Sequence, residues 1–307
     1  MPDFKSFPRD FIFGAAASAY QIEGAWDADG KGPSIWDTFV RRRGKILNGD
    51  TGDTACDHYH RYREDVALMK EIGLESYRFS INWPRVLPLG YGRINEKGLD
   101  FYDRLTDELL AASIKPLVTL YHWDLPQALQ DKGGWASLSI RNYFADFAAI
   151  VTRKLGDRIQ SFITLNEPWM FIFVGNLLGM HAPGFHNPWK AMRSFHNSLC
   201  AHGQAVKAMR SERNGLQIGI TLSLSPLEPA TESRNDRIAM EHADLFMNRI
   251  TLDPLFGRGY PRELQNLLKP FFPKVKAGDM DLITEPIDFL GINNYTREHI
   301  RYDWRLP

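Results

Sequence analysis

Ser161-Phe162-Ile163-Thr164-Leu165-Asn166-Glu167-Pro168 is the stretch on which the reading of this chain turns. Phe162, Ile163 and Leu165 are β-formers in a short apolar run, the pattern of a strand buried on both faces. Asn166 and Glu167 stand where that strand runs out. Pro168 disfavours the right-handed helical region for Glu167, so the sequence predicts an extended Glu167 and a helix that starts only after it. In parallel α/β proteins the carboxyl ends of the strands carry the chemistry. A Glu in that place, beside an amide able to bind a hydroxyl, reads as a general acid/base over a polyhydroxylated substrate. A solvated strand-end Glu is the plainer alternative.

Upstream and downstream, strand-like and helix-like patterns alternate. Residues 11–17 read as a first strand, with Gln21 and Glu23 in the loop after it. From Asp57, Tyr59, Tyr62, Val66, Met69 and Ile72 recur at three- and four-residue steps, and Gly73 ends that helix. Residues 76–82 are the second strand. Asn95 is placed to cap a helix with Leu99, Tyr102, Leu105 and Leu109 on one face. Residues 116–123 form the third strand, ending in His122 and Trp123. Tyr143, Phe144, Phe147, Ile150, Val151 and Leu155 mark the next helix. After the fourth strand come a helix over 189–213, a strand over 216–222, a helix over 238–250 and a sixth strand over 286–293.

Six such units imply a parallel sheet with helical crossovers. An open doubly wound sheet and a (β/α)8 TIM barrel compete. No glycine-rich phosphate loop follows a strand, which counts against the first. Polar residues at the ends of many strands favour the barrel, whose strands all point at one site. The expectation is one incomplete barrel domain over 1–307, supplying about six βα units, with strands 7 and 8 absent. Such a remnant exposes two long strand edges.

The bulk numbers narrow the function. Of 307 residues, 44% are hydrophobic and 24% charged, and Lys+Arg equals Asp+Glu at 37 each. That balance offers no basic face to nucleic acid or to an anionic membrane. Cys56 and Cys200 are too few for a disulfide framework or a cysteine metal site and read as free thiols in a reducing compartment. No long apolar segment follows Met1-Pro2-Asp3-Phe4-Lys5, and no run approaches the roughly 20 residues of a membrane span. The expected location is cytoplasmic. Asp53, Asp57, His58 and His60 read as an ion-paired helix start, not a metal site, since His58 and His60 face different ways.

The stretch from Phe11-Ile12-Phe13-Gly14 to Tyr20-Gln21-Ile22-Glu23-Gly24 resembles the N-terminal signature of family 1 glycoside hydrolases, the β-glucosidases. Tyr77-Arg78-Phe79-Ser80-Ile81, Tyr121-His122-Trp123-Asp124-Leu125-Pro126, Thr164-Leu165-Asn166-Glu167-Pro168 and Pro286-Ile287-Asp288-Phe289-Leu290-Gly291-Ile292-Asn293 match further blocks in the same order. The resemblance covers the whole chain and implies the first three quarters of such an enzyme.

It implies a retaining, two-carboxylate mechanism on β-glucosides or cello-oligosaccharides, with no metal or cofactor. Glu167 falls on the acid/base. Gln21 and His122 fall on residues that bind sugar hydroxyls, Asn166 on the one that binds the 2-hydroxyl, and Trp123 on the site wall. Arg78 and Tyr295 fall on neighbours of the nucleophile, and Trp169, with Phe173, on the aglycone entrance. The sequence departs from the family pattern at Asn294, where an aromatic or His is usual, and at Ser223, where many members carry Asn. The nucleophile belongs to a Thr/Ser-Glu-Asn-Gly block that these residues do not contain; Thr284-Glu285-Pro286 is not that block. The chain alone is therefore expected to hydrolyse β-glucosides negligibly, and a C-terminal fragment of the same enzyme is the expected partner. Two alternatives stand beside this: a 6-phospho-β-glycosidase, and a non-catalytic remnant that binds sugar or pairs with a partner chain.

Overall fold

The computed structural model describes residues 7–305. Met1–Lys5, where no leader was read, and Leu306-Pro307 lie outside the described residues. Among the described residues eight strands follow in chain order: β1 (Gly14–Ala16), β2 (Ser76–Ser80), β3 (Lys115–Tyr121), β4 (Ser161–Asn166), β5 (Gln217–Ser223), β6 (Leu227–Pro229), β7 (Phe289–Asn293) and β8 (Glu298–Ile300). Six of them form one all-parallel sheet in the order β1-β2-β3-β4-β5-β7. β6 and β8 pair separately as a small parallel sheet, which the sequence reading missed. The main crossovers are α1 (His58–Glu71), α2 (Glu96–Ala111), α3 (Ile140–Leu155), α4 (Pro188–Glu212) and α5 (Arg234–Asp244), with the short α6 (Asp279–Ile283) before β7.

Strand order follows chain order without reversal, so the sheet is the wall of a (β/α)8 barrel with six strands in place. A doubly wound sheet would reverse direction at a switch point. Among the described residues nothing pairs with the outer edges of β1 and β7. Burial follows from this. Phe162–Asn166 of β4 and Ile218–Leu222 of β5 are buried on both faces, whereas Gly14–Ala16 of β1 and Ile292 of β7 are exposed. The main core lies between the sheet and its helices. There Trp83 stacks on Phe147 with ring centroids 5.0 Å apart, and Tyr121 meets Trp135 and Phe171 edge-on. Burying each such ring stabilises the fold by about 2 kcal/mol. α4 approaches α6 so closely that a Cβ on Gly203 would lie 1.6 Å from the Leu282 carbonyl oxygen, so only glycine fits. Among the described residues no helix is long and apolar enough to cross a membrane.

Several local expectations differ from the structure. The first strand is only Gly14–Ala16, because Phe11–Phe13 precede the β2 edge that it pairs with. Gln21 lies in a short helix, Ala19–Ile22, and not in a loop. Asn95 precedes α2, but its side chain bonds the Asp29 and Arg85 carbonyls instead of capping. Ile72, counted on the apolar face of α1, is exposed just past the helix end. The helix expected over 238–250 starts earlier, at Arg234, and passes through a π-helical turn, Leu245–Arg249. That turn shifts the 3.6-residue register, which periodicity alone cannot follow.

Beneath the strand ends lies a buried charged layer. Glu23 pairs with Arg85 (Oε2 to Nε, 2.9 Å) and accepts from the Tyr102 hydroxyl at 2.6 Å. Asp124 is fully buried nearby, and neither of its carboxyl oxygens has a protein hydrogen-bond partner. Burial, with the Glu23 charge adding to it, pushes the Asp124 carboxyl from its ordinary 3.8 up to about 8. Between those values the unfolded chain releases a proton that the folded chain keeps. Asp124 therefore costs more stability as pH rises from about 4 to 8, and no more above that. An Asp124→Asn chain lacks this dependence. Its melting temperature should fall less than the wild type's between pH 5 and pH 8, and two parallel curves of melting temperature against pH would refute the assignment.

Candidate active site

The carboxyl ends of β1, β3, β4, β5 and β7, with Arg78 of β2, line one cavity of about 310 Å³. Glu167 lies there, nearly buried, directly after β4. Its backbone is not extended: φ is +53°, in the left-handed region. Pro168 keeps Glu167 out of the right-handed helical region, as anticipated, but the chain resolves this by a left-handed turn. The Glu167 amide donates to the Thr221 carbonyl at 2.7 Å, and its carbonyl accepts from Met170 and Phe171, starting the next helical segment at once. Such a conformation is costly for a non-glycine residue, of order 1–3 kcal/mol, and concentrates at functional sites.

Asn166 organises the floor. Its Oδ1 accepts from Arg78 Nη2 and from Asn293 Nδ2, the latter at 3.1 Å. Its Nδ2 donates to His122 Nε2 at 3.3 Å, and its backbone carbonyl accepts the Trp123 indole N–H at 2.8 Å. The His122 ring proton therefore sits on Nδ1, and burial, with the Arg78 charge adding to it, pushes its pKa down to about 3. At neutral pH His122 is uncharged, with Nε2 engaged by Asn166 and the buried Nδ1 left without a protein partner. Arg78 also donates to Thr119 Oγ1 at 3.1 Å and to Asn293 Oδ1 at 3.2 Å. Asn293 Nδ2 reaches Glu167 Oε1 as well.

Burial raises the Glu167 pKa; the Asn293 hydrogen bond, the Arg78 charge and the Asn166 contact oppose it. The residue is thus a carboxyl drawn towards its protonated form and restrained by three polar neighbours, a setting for a general acid.

The other anticipated site residues divide. Gln21 lines the cavity from its exposed side, its Oε1 accepting from Ser18 Oγ at 2.8 Å. Trp123 and Tyr295 also line it, and Tyr295 is largely exposed. Asn166 lies beneath the lining. Trp169 sits beside the cavity, its indole N–H committed to the Phe246 carbonyl at 2.8 Å and its ring packed on Phe173 and Phe246. Ser223 and Met170 complete the wall. Asn293 was read only as a polar strand end. Its weight comes from being the one β7 side chain that reaches Glu167, Asn166 and Arg78 together, and spacing along the chain does not reveal that.

His58 and His60 bond different carboxylates, Asp65 at 2.5 Å and Asp57 at 2.6 Å. Among the described residues, His196, Cys200 and Asp279 are the trio that lies close enough to share a metal ion. The Asp279 carboxylate there already accepts from Arg141, His196 and the Lys276 amide, so it is poorly placed to ligate.

The model of glycosyl hydrolase family 1 matches residues 4–305. The chain belongs to glycosyl hydrolase family 1. It is 49% identical to β-glucosidase A of Acetivibrio thermocellus, over 97% of this chain and 67% of that protein. It is 44% identical to an aryl-phospho-β-D-glucosidase of Bacillus subtilis, over 95% of this chain and 62% of that one. The solved family 1 β-glucosidase of Thermotoga maritima superposes with a TM-score of 0.96 at 45% identity, covering 99% of this chain and 68% of that one. The family places this chain among O-glycosyl hydrolases. It spans about two thirds of these relatives, less than the three quarters the motifs suggested.

In this family 1 framework the Asn293–Glu167 contact is open to direct test. Asn293→Ala removes a donor that lowers the Glu167 pKa, so the carboxyl should titrate at higher pH, followed by carbon-13 NMR of labelled glutamate. A lower or unchanged value would show that Asn293 does not tune this group.

Proposed function

We propose that these residues form the acid/base half of a retaining β-glucosidase. Glu167 protonates the glycosidic oxygen and then, as a carboxylate, activates water against the glycosyl-enzyme. The observation that carries this is a buried, pKa-raised carboxyl at the end of β4 in a family 1 framework. Asn166, His122 and Gln21 bind the glycone hydroxyls, Trp123 walls the site, and Arg78 and Tyr295 face the position of the second carboxylate. Trp169 acts at the aglycone side by holding Phe246 in place. The nucleophile comes from the part of the relatives' length that these 307 residues do not contain, carried by a C-terminal segment that pairs with the open edges of β1 and β7. β-Glucosides are the substrate class that the A. thermocellus relative supports. The B. subtilis relative favours a second reading, a phosphorylated glucoside in the same site.

One set of assays decides. The 307-residue chain should hydrolyse p-nitrophenyl β-glucoside negligibly, and a segment carrying the last third of a family 1 relative should restore turnover. In the restored enzyme Glu167→Ala should lower kcat about 10²–10⁴-fold. Azide, which needs no general base, should rescue it. Robust turnover by the chain alone would overturn the split site, and an active Glu167→Ala enzyme would overturn the acid/base role. Preference for the 6-phosphorylated glucoside would decide for the second reading.

A further inference from the structure

A groove of about 390 Å³ lies on the outer helical layer and shares no lining residue with the Glu167 cavity. One wall is the start of α4, where Trp189 and Arg193, four residues apart, share a face. The other is the loop from Pro270 to Lys276. Trp189 is more than half exposed and meets Phe271 edge-on, with ring centroids 4.7 Å apart. Arg193, Lys274 and Lys276 line the same groove, and among the described residues no carboxylate lies within 4.0 Å of their charged groups.

The loop is anchored at both ends. Phe272 packs edge-on against Tyr260, whose hydroxyl meets His196 Nδ1 at 3.0 Å. At the other end Asp279 holds the Lys276 amide at 2.8 Å and pairs with Arg141 at 2.6 Å and His196 at 2.9 Å. The floor polar groups are thereby spent on one another: Arg141 also donates twice to Asn197 Oδ1, and Asn197 Nδ2 donates to the Trp135 carbonyl. A hydroxyl-rich sugar would find few free partners on that floor. A flat apolar body would find the edge-on Trp189–Phe271 pair, and a negative charge would find Arg193, Lys274 and Lys276 in the same lining. Apolar lining with a few convergent polar groups is the usual form of a small-molecule site.

We propose that this groove binds a planar aromatic anion, an aryl carboxylate or aryl phosphate, its ring against Trp189 and Phe271 and its charge facing Arg193, Lys274 and Lys276. The test is calorimetry on the 307-residue chain with 2-naphthoate, 2-naphthyl phosphate and the neutral 2-naphthamide. Either anion should bind, and more weakly as salt rises. The tighter of the two names the anionic group. The amide should bind about tenfold more weakly, the factor expected for roughly 1.4 kcal/mol of charge pairing. Trp189→Ala and Lys274→Gln/Lys276→Gln should each weaken anion binding by a similar factor, and excess glucose should leave it unchanged. Absence of binding by both anions, equal binding of the amide, or unaltered binding to Trp189→Ala overturns the proposal. If a variant fails to fold, the anion-to-amide comparison on the unaltered chain decides alone.

Discussion

The side-chain amide of Asn166 is the joint on which the site depends. It is buried at the end of β4 and bonded to groups from β2, from the turn after β3 and from β7. An amide buried without partners costs several kcal/mol, so the position is tolerable only with the strand ends in this register. The dependence runs both ways. Arg78 is largely buried, and its guanidinium hydrogen bonds go to Asn166, Asn293 and Thr119. The parallel sheet brings the strand ends together, and the hydrogen bonds then fix them to one another. Glu167 takes its place in that frame through a left-handed turn whose strain the surrounding bonds hold.

What the sequence showed and what it hid follow the same division. The central parallel strands were legible because strands buried on both faces are rich in β-forming apolar residues, as Phe162, Ile163 and Leu165 and Ile218, Ile220 and Leu222 are here. Gln21, Arg78, His122, Trp123 and Glu167 were legible because each stands in a family block, and Tyr295 because it follows one closely; the fold sets them around one cavity. Features that depend on contacts distant in sequence stayed hidden. Nothing near Asp124 announces that Glu23 lies close enough to add to its pKa shift. Nothing near Asn293 announces Glu167. Nothing near Trp169 announces that its indole N–H is taken by the Phe246 carbonyl, which lies 77 residues on and is presented by a π-helical turn.

The open edges of the sheet carry a further constraint. β1 is short and exposed, preceded by Phe11, Ile12 and Phe13, all substantially exposed, and Phe11 and Phe13 pack mainly on each other and on Phe7. At the far edge Ile292 of β7 is exposed too. Unpaired parallel edges flanked by apolar side chains are templates for another strand. The proposed C-terminal segment would cover both at once, since in a closed barrel β1 and β7 are separated only by the last two strands. A second copy of this chain would offer the same kind of edges without the Thr/Ser-Glu-Asn-Gly block, so association of copies would shield the edges and leave the chemistry incomplete.

The tuning of Glu167 shows what such completion would add. In the described residues burial pulls its pKa up while Asn293, Arg78 and Asn166 pull it down. Hydrogen bonds to charged groups are worth about 1.5–3 kcal/mol each, and these neighbours oppose the desolvation without reversing it. In the proposed two-carboxylate site a second negative charge would stand about 5 Å away. At an effective dielectric constant near 20 that repulsion is about 3 kcal/mol, the size of one such hydrogen bond. If, as proposed, Arg78 faces that carboxylate, the carboxylate would compete for it and so weaken one of the interactions that now lower the Glu167 pKa. Both effects favour the protonated acid. On that proposal one added carboxylate would supply both the covalent partner and the charge that keeps the proton on Glu167.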